Sequence, residues 1–484
     1  MSASATLRLA IIAMAVAVSH SLAASAPAPR DARDREGPPA STTVRAGFYL
    51  AAAARLRPLD RLDASLYTHL YYSALAVHPT THKLVLPTDP NQAGLLATFC
   101  PTLKSKNRAL KTMLSVGTPG IAAGADSRAD PAFAAMAADP ASRAAFGAAA
   151  VALASDSGFD GLDVAWWFPA SAVEMANFGF LVSEWRAAAP PGFLLTATVY
   201  FSNHVFDAPR PGVDYPSEAV ARCLDWVNVV AFGLHPLAAG AANATAFDAP
   251  LYDRASHFSA SYGVVSWIDA GVPASKVVMG LPLYARSWFL RNKANSGVGA
   301  PVVAAGPKQR GSNATGVMSY AEVQKIAAAG GGGRRAVTTT FDNASVASYL
   351  SIGDVWVAFD GAAVVAEKLA FAAQRGLLGY FLWPVNYDDA NLAVSRSALD
   401  AWMKNEISSN LKNDTGLRQT QGPVRLPPAL QSPAGTPGPA PAPTSGSRSW
   451  LPWTKLDAFL RFGCANSCVL LVVTSLIWSC IWDY

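Results

Sequence analysis

Cysteine is scarce in this chain. Five occur in 484 residues, and three of them, Cys464, Cys468 and Cys480, crowd the last stretch. Only Cys100 and Cys223 fall in the main body, and no Cys-x-x-Cys pair occurs. That excludes a zinc ribbon and a thioredoxin-type redox pair. A Cys100–Cys223 bridge is compatible with the count but unsupported, so the domain is expected to be held by its core. The seven histidines are scattered, with no His-Glu-x-x-His, and no metal site is expected. A Gly-x-Ser-x-Gly elbow is missing, which removes a serine hydrolase. No Gly-x-Gly-x-x-Gly follows the first strand, and no cofactor is expected. The glycine run at 330–333 precedes Arg334 and Arg335 but lacks a Gly-Lys-Ser/Thr ending, so it reads as a flexible loop. Charge of one sign is also lacking: 38 Lys plus Arg face 33 Asp plus Glu, a dispersed excess of five that excludes nucleic acid as a partner.

What is present is apolar. Hydrophobic residues make up 51% of the chain, enough for at least one large core. The first 26 residues carry one early positive charge, an apolar run from Leu9 to Val18, then small residues at Ala23, Ala24 and Ala26. That is the layout of a secretory signal peptide, too short to span a bilayer; a buried first helix is the alternative. Asn-x-Ser/Thr sequons at Asn243, Asn313, Asn343 and Asn413 fit a secreted, extracellular chain.

Eight β-rich runs lie at 45–50, 67–75, 109–117, 158–166, 194–200, 226–233, 276–284 and 377–384, most separated by helix-length segments. Such alternation predicts parallel strands in βα units, and eight units predict an α/β fold of the closed (β/α)₈ type over 44–405. An open doubly wound sheet is the alternative. Helix signals keep the register. Ser171 and Glu174 form a capping box ahead of the stripe Met175, Phe178, Leu181, Val182 and Trp185, while Asp139 and Pro140 open the helix before the fourth strand. The interval 286–360 is too long for one helix and reads as a small α+β insertion between the seventh strand and its helix. Residues 406–450 are proline-rich and read as an extended linker. The charge-free segment 463–482 has the length of a membrane span. Lys455 and Arg461 precede it and only Asp483 follows, opposite to the positive-inside preference of an exported body, so a spanning anchor and a lipid-anchor signal both stand.

The stretches "YTHLYYSAL", "FDGLDVAWWFP", "NFGFLVSEWR", "AGVPASKVVMGLPLY" and "RGLLGYFLWPVNYDD" resemble, in order, those of glycoside hydrolase family 18, most closely the plant class V chitinases. The resemblance runs from about Arg45 to Trp402. It implies a (β/α)₈ barrel, an insertion after strand seven, and chitin hydrolysis. Some plant relatives are chitinase-like ectodomains of membrane receptor kinases; here no kinase follows. The family's motif, Asp-x-x-Asp-x-Asp-x-Glu, matches at Asp160 and Asp163, but its third aspartate falls on Ala165 and its glutamate on Trp167. In the family that glutamate protonates the leaving oxygen while the aspartate orients the acetamido group that attacks the sugar carbon. Neither replacement carries a proton to give. From Val164 to Val173 no acidic residue, histidine or cysteine occurs, so a shifted alignment rescues nothing. The family's Met-Ala-Tyr-Asp on strand six is replaced so that Phe232 and Gly233 stand for its tyrosine and aspartate, and Phe48 stands for a strand-one tyrosine.

Aromatic residues remain. Trp383 matches the family's tryptophan floor under the sugar; Trp288, Tyr200 and Tyr49 are further candidates near the mouth, beside Phe232 and Phe48. Sugars stack on such rings, although strand-end aromatics serve core packing as readily. Trp167 either offers a stacking face or plugs the pocket. The expected function is a catalytically inactive, secreted or membrane-tethered binder of chitin or N-acetylglucosamine oligosaccharides. A protein-interaction scaffold, inhibiting a foreign glycosidase or engaging a co-receptor, is the alternative, and a residual chitinase is the third.

Overall fold

The computed structural model describes residues 43–117, 130–206, 212–235, 244–330 and 337–414. Signal segment, apolar tail, the proline-rich stretch past 414, Asn243 and most of the glycine run lie outside these residues.

Eight parallel strands close into a barrel in chain order: β1 (Val44–Leu50), β2 (His69–Leu75), β3 (Lys111–Gly117), β4 (Gly161–Ala165), β5 (Leu194–Val199), β6 (Trp226–Val229), β7 (Val277–Pro282) and β8 (Gly379–Trp383). All eight coincide with the expected runs, because a strand buried on both faces reads as a continuous apolar segment. Closure falls between β8 and β1, with Val44 beside Gly379 and Gly47 beside Leu382. At that seam a Cβ on Gly379 would sit 1.8 Å from the Val44 carbonyl oxygen, so only glycine admits the first strand so closely.

Helices α1 (Pro90–Lys106), α2 (Pro131–Ala138), α3 (Pro140–Asp156), α4 (Ala172–Ala188), α5 (Ser217–Cys223) and α6 (Ala260–Asp269) lie between the first seven strands. Asp89, Asp130 and Asp139 each cap the helix behind them and are each followed by proline at the first helical position. At α4 the Ser171 hydroxyl accepts from the Glu174 amide (3.2 Å), and the Glu174 carboxylate accepts from the amide of Ala170 (2.8 Å). The expected stripe from Met175 to Trp185 is buried.

The insertion follows β7 directly. Strands 302–305, 284–290, 355–359, 347–352 and 337–342 form an antiparallel sheet in that order, with 317–319 pairing 284–290 and α7 (Tyr320–Gly330) beside it. Then α8 (Ala362–Gln374) leads into β8, which places the insertion between the seventh strand and its helix. The last helix, α9 (Ala393–Asp414), runs past the domain boundary expected at 405. Cys100 and Cys223 are both buried free thiols: the Thr112 hydroxyl donates to Cys100 (3.3 Å), and Cys223 lies 3.4 Å from the Ser183 hydroxyl. The bridge left open by the count is absent. Among the described residues no helix is long and apolar enough to cross a membrane.

Candidate functional site

Strand alternation decides which side chains enter the barrel. On β4, Asp163 points inward and is fully buried. Its carboxylate accepts four hydrogen bonds: from the hydroxyls of Ser115 on β3 (2.8 Å) and Thr196 and Thr198 on β5 (2.8 Å each), and from the amide of Asn228 on β6 (3.2 Å). The same Asn228 amide donates to the Tyr71 hydroxyl of β2 (3.2 Å). Burial pushes the Asp163 carboxyl up from the ordinary aspartate range, against the pull of those four donors. Five of the eight strands are thus tied to one polar knot inside the barrel.

Asp160 stands elsewhere. It precedes β4 and lies at the base of the barrel, away from the mouth, where Lys104 (2.7 Å) and Lys111 (3.2 Å) pair with it and the Thr112 amide donates to it (2.8 Å). Burial raises its carboxyl, but the Lys104 and Thr112 hydrogen bonds and the two ammonium charges outweigh that and hold it below the ordinary range. Asp160 is thus a structural acceptor at the start of the strand.

The mouth itself is aromatic. Ala165 ends β4, and Trp167 lies just beyond, its ring stacked on Phe168 (5.2 Å, 14°). Phe168 meets Tyr200, at the end of β5, edge-on at 5.0 Å. Opposite, Phe48 stacks flat on Tyr71 (4.2 Å) and touches Phe381 (5.1 Å). Phe232 stacks against Trp383 (6.0 Å, 27°), and Tyr284 meets both edge-on. Gly280 on β7 makes room for this group: a Cβ there would lie 2.5 Å from Phe381 and 2.7 Å from Phe232. Two ring clusters result, Trp167–Phe168–Tyr200 and Phe48–Phe381–Phe232–Trp383. They are tightly packed: Trp383 is 2% exposed and Trp167 8%. The buried Trp167 Nε1 has no acceptor, but neither do those of Trp166, Trp185, Trp288 and Trp356, so it marks nothing special.

Two candidates need correction. Tyr49 alternates with Phe48 and therefore faces outward, its ring against Phe99 of α1 and its hydroxyl donating to the Arg57 carbonyl (2.9 Å). Trp288 packs on Trp356 (5.5 Å) within the insertion's own core and is 1% exposed. Neither presents a face to the mouth.

One carboxylate near the mouth escaped the sequence reading. Asp248, in the segment after β6, accepts from the Tyr284 hydroxyl (2.6 Å), the Gly233 amide (3.1 Å) and Arg286 Nε (3.2 Å). Gly233 is the position where the resemblance implies an aspartate, so a carboxylate returns beside that backbone from a distant segment. Both of its oxygens are engaged, and it is 6% exposed. It is an anchored counter-ion of Arg286, with no face offered to a ligand. Of the sequon asparagines, Asn313 and Asn343 are exposed, and Asn413 lies in α9.

A closed (β/α)₈ barrel with an α+β insertion after strand seven, its mouth paved by a strand-eight tryptophan, is the architecture of a glycosidase-type barrel. The chain belongs to the glycosyl hydrolases family 18, whose family model matches residues 44–388. A class V chitinase of Arabidopsis thaliana is 35% identical over 372 residues, covering 75% of this chain and 90% of that one. A mutant class V chitinase from Nicotiana tobaccum, solved in complex with NAG4, superposes with a TM-score of 0.65 at 32% identity, covering 74% of this chain and 99% of that one. A chitinase-like agglutinin from Robinia pseudoacacia does so with 0.63 at 32% identity and the same coverage.

Proposed function

We propose that this family 18 protein is a chitinase-like, non-hydrolytic binder of chitin or N-acetylglucosamine oligosaccharides, secreted and held at the cell surface by its C-terminal segment. The observation that carries the reading is the tip of β4. Where the resemblance implies a proton donor and its aspartate there is a tryptophan and an alanine, and the carboxylate below them, Asp163, is sealed under four donors. A missing general acid alone removes about 10²–10⁴ in rate. Phe48, Phe232 and Gly233 also lack the groups that would hold the reacting acetamide. What supports sugar recognition is the aromatic rim and a structural neighbour described as an agglutinin.

Calorimetric titration with chitotetraose tests it: heat at micromolar to millimolar ligand, with no release of reducing ends, is the expected result. Reducing-end release abolished by Asp163→Ala would overturn the inactive half. A second reading rests on the near-complete burial of Trp383 beneath Phe232 and Tyr284. A mouth so filled suits a scaffold that engages another protein, such as a foreign glycosidase. Absence of heat and of any thermal shift with chitotetraose selects that reading.

A further inference from the structure

The structure also has an open void away from the mouth. A groove of about 720 Å³ runs between the segment after β1, the segment after β8 and the insertion. Its walls are basic. Arg55, Arg57 and Arg61 come from the barrel side, Arg310 and Lys325 from the insertion. Two carboxylates, Glu322 and Asp388, share the lining but are spent internally. Glu322 accepts from the Gly311 amide (2.7 Å) and from the Ser319 amide and hydroxyl (2.9 Å each). Asp388 accepts from the Ser395 amide (2.9 Å) and hydroxyl (2.6 Å) and from the Asp389 amide (2.8 Å).

The cations outnumber the carboxylates, five to two. Arg55 donates to the carbonyls of Arg310 (3.3 Å) and Gly311 (3.0 Å), which ties the barrel loop to the insertion. Arg57 is 9% exposed and donates to the carbonyls of Asp388 (3.0 Å) and Asp389 (2.5 Å), while its Nε is buried without a partner. Among the described residues no carboxylate pairs with Arg55, Arg57, Arg310 or Lys325. Arg61 reaches only Asp60, at 3.9 Å, with both side chains in solvent. A guanidinium held by carbonyls in a partly enclosed wall keeps its charge, so the groove, with five cations against two carboxylates, carries a net positive field. The volume lies in the range of small-molecule sites.

We propose that this groove is a second carbohydrate site, one that takes an acidic oligosaccharide through its ring carboxylates. Guanidinium forks match carboxylates two oxygens at a time. The charges stand on two walls instead of converging on one point, and the Gly311 amide is occupied by Glu322. That arrangement suits a chain bearing several carboxylates better than a single inorganic anion. The site differs in chemistry from the aromatic mouth, where Asp248 and Arg286 neutralise each other, and it does not depend on whether the mouth binds neutral sugar.

The test titrates the full-length protein with trigalacturonate by calorimetry. Binding is expected, weakening as salt is raised. It should fall by about tenfold or more in Arg61→Glu/Lys325→Glu, whose side chains make no bond across the seam, and also in Arg55→Glu/Arg310→Glu. The thermal midpoint of the first pair should match that of the unaltered protein. The fully methyl-esterified trimer, which keeps the shape and loses the charge, should be silent. Inorganic phosphate at matched ionic strength should not displace trigalacturonate. No binding of trigalacturonate, equal binding by the Arg61/Lys325 pair, or binding of the methyl ester overturns the proposal, and displacement by phosphate overturns its saccharide class. Chitotetraose run in parallel separates the two sites: its heat reports the mouth and should be unchanged in the Arg61/Lys325 pair.

Discussion

The lower and upper ends of β4 went different ways. Below, Asp160 sits between Lys104 and Lys111, and three residues on, Asp163 draws hydroxyl and amide donors from β3, β5 and β6. Above, within two and four residues of Asp163, stand Ala165 and Trp167 in a shell of rings. A single strand thus carries a polar knot that organises the barrel and a tip without ionisable side chains. Donors buried against a carboxylate are costly to strand, so the knot is held by folding itself. Groups at the tip face the opening, where an apolar ring packs as well as a carboxylate does. Family membership therefore fixes the architecture here, while the chemistry must be argued from the tip alone.

The sharpest way to break this contrast is Asp163→Ala. Three hydroxyls and one amide would lose their acceptor in a fully buried site, at a cost of about 3–5 kcal/mol. Urea unfolding measures it, and a loss below about 1 kcal/mol would show that the knot does not hold the barrel.

The next effect belongs to the base. His69, at the start of β2, has its ring edge against Trp226 of β6 (4.9 Å) and within 2.9 Å of the Thr68 hydroxyl. Burial is the largest influence and pushes its imidazole down to about 4. The unfolded chain, with histidine near 6.5, therefore binds more protons between those values, and stability is lost as pH falls from about 6.5 to about 4, by roughly 3 kcal/mol at the lower limit. His69→Gln should flatten that limb in unfolding measured across the interval; an unchanged slope would place the acid sensitivity elsewhere. The two aspartates of β4 bend the curve oppositely. Asp163, raised by burial, lowers stability as pH climbs from the ordinary aspartate value through its folded one. Asp160, held low by its lysines, adds stability that is lost as pH falls through its folded value. Asp160→Asn is a smaller change, about 1 kcal/mol at neutral pH, and should remove only that acid-side contribution.

Much of this was legible in the residues. All eight barrel strands declare themselves as apolar runs, and the caps at Asp139 and Ser171 fix the helices around β4. Insertion position and class follow from an interval too long for one helix. Side-chain direction was legible too, and the placing of Tyr49 at the mouth missed it: once Phe48 faces inward, strand period two sends Tyr49 outward. Trp288 is different. Its burial depends on the cross-strand partner Trp356, which lies 68 positions along the chain in a pairing no local pattern encodes. Asp248 was invisible for the same reason, because only folding brings that segment to Gly233 and Arg286. The groove's basic walls come from three separated segments, so their charges never form a run in the sequence.

The last effect expected is none. Trp167→Glu restores a carboxylate at the position from which the resemblance implies a proton is given, and Trp167→Glu/Ala165→Asp restores its neighbour. A general acid accelerates only a reacting group that is already held. Phe232 and Phe48 offer no hydrogen bond to an acetamide, and the amide of Gly233 is occupied by Asp248, itself committed to Arg286 and Tyr284. Both variants should therefore release no reducing ends from chitotetraose above the background of the unaltered protein. Turnover in the single variant would mean that the rest of the mouth remains competent, and that the divergence between the two ends of β4 is one side chain deep.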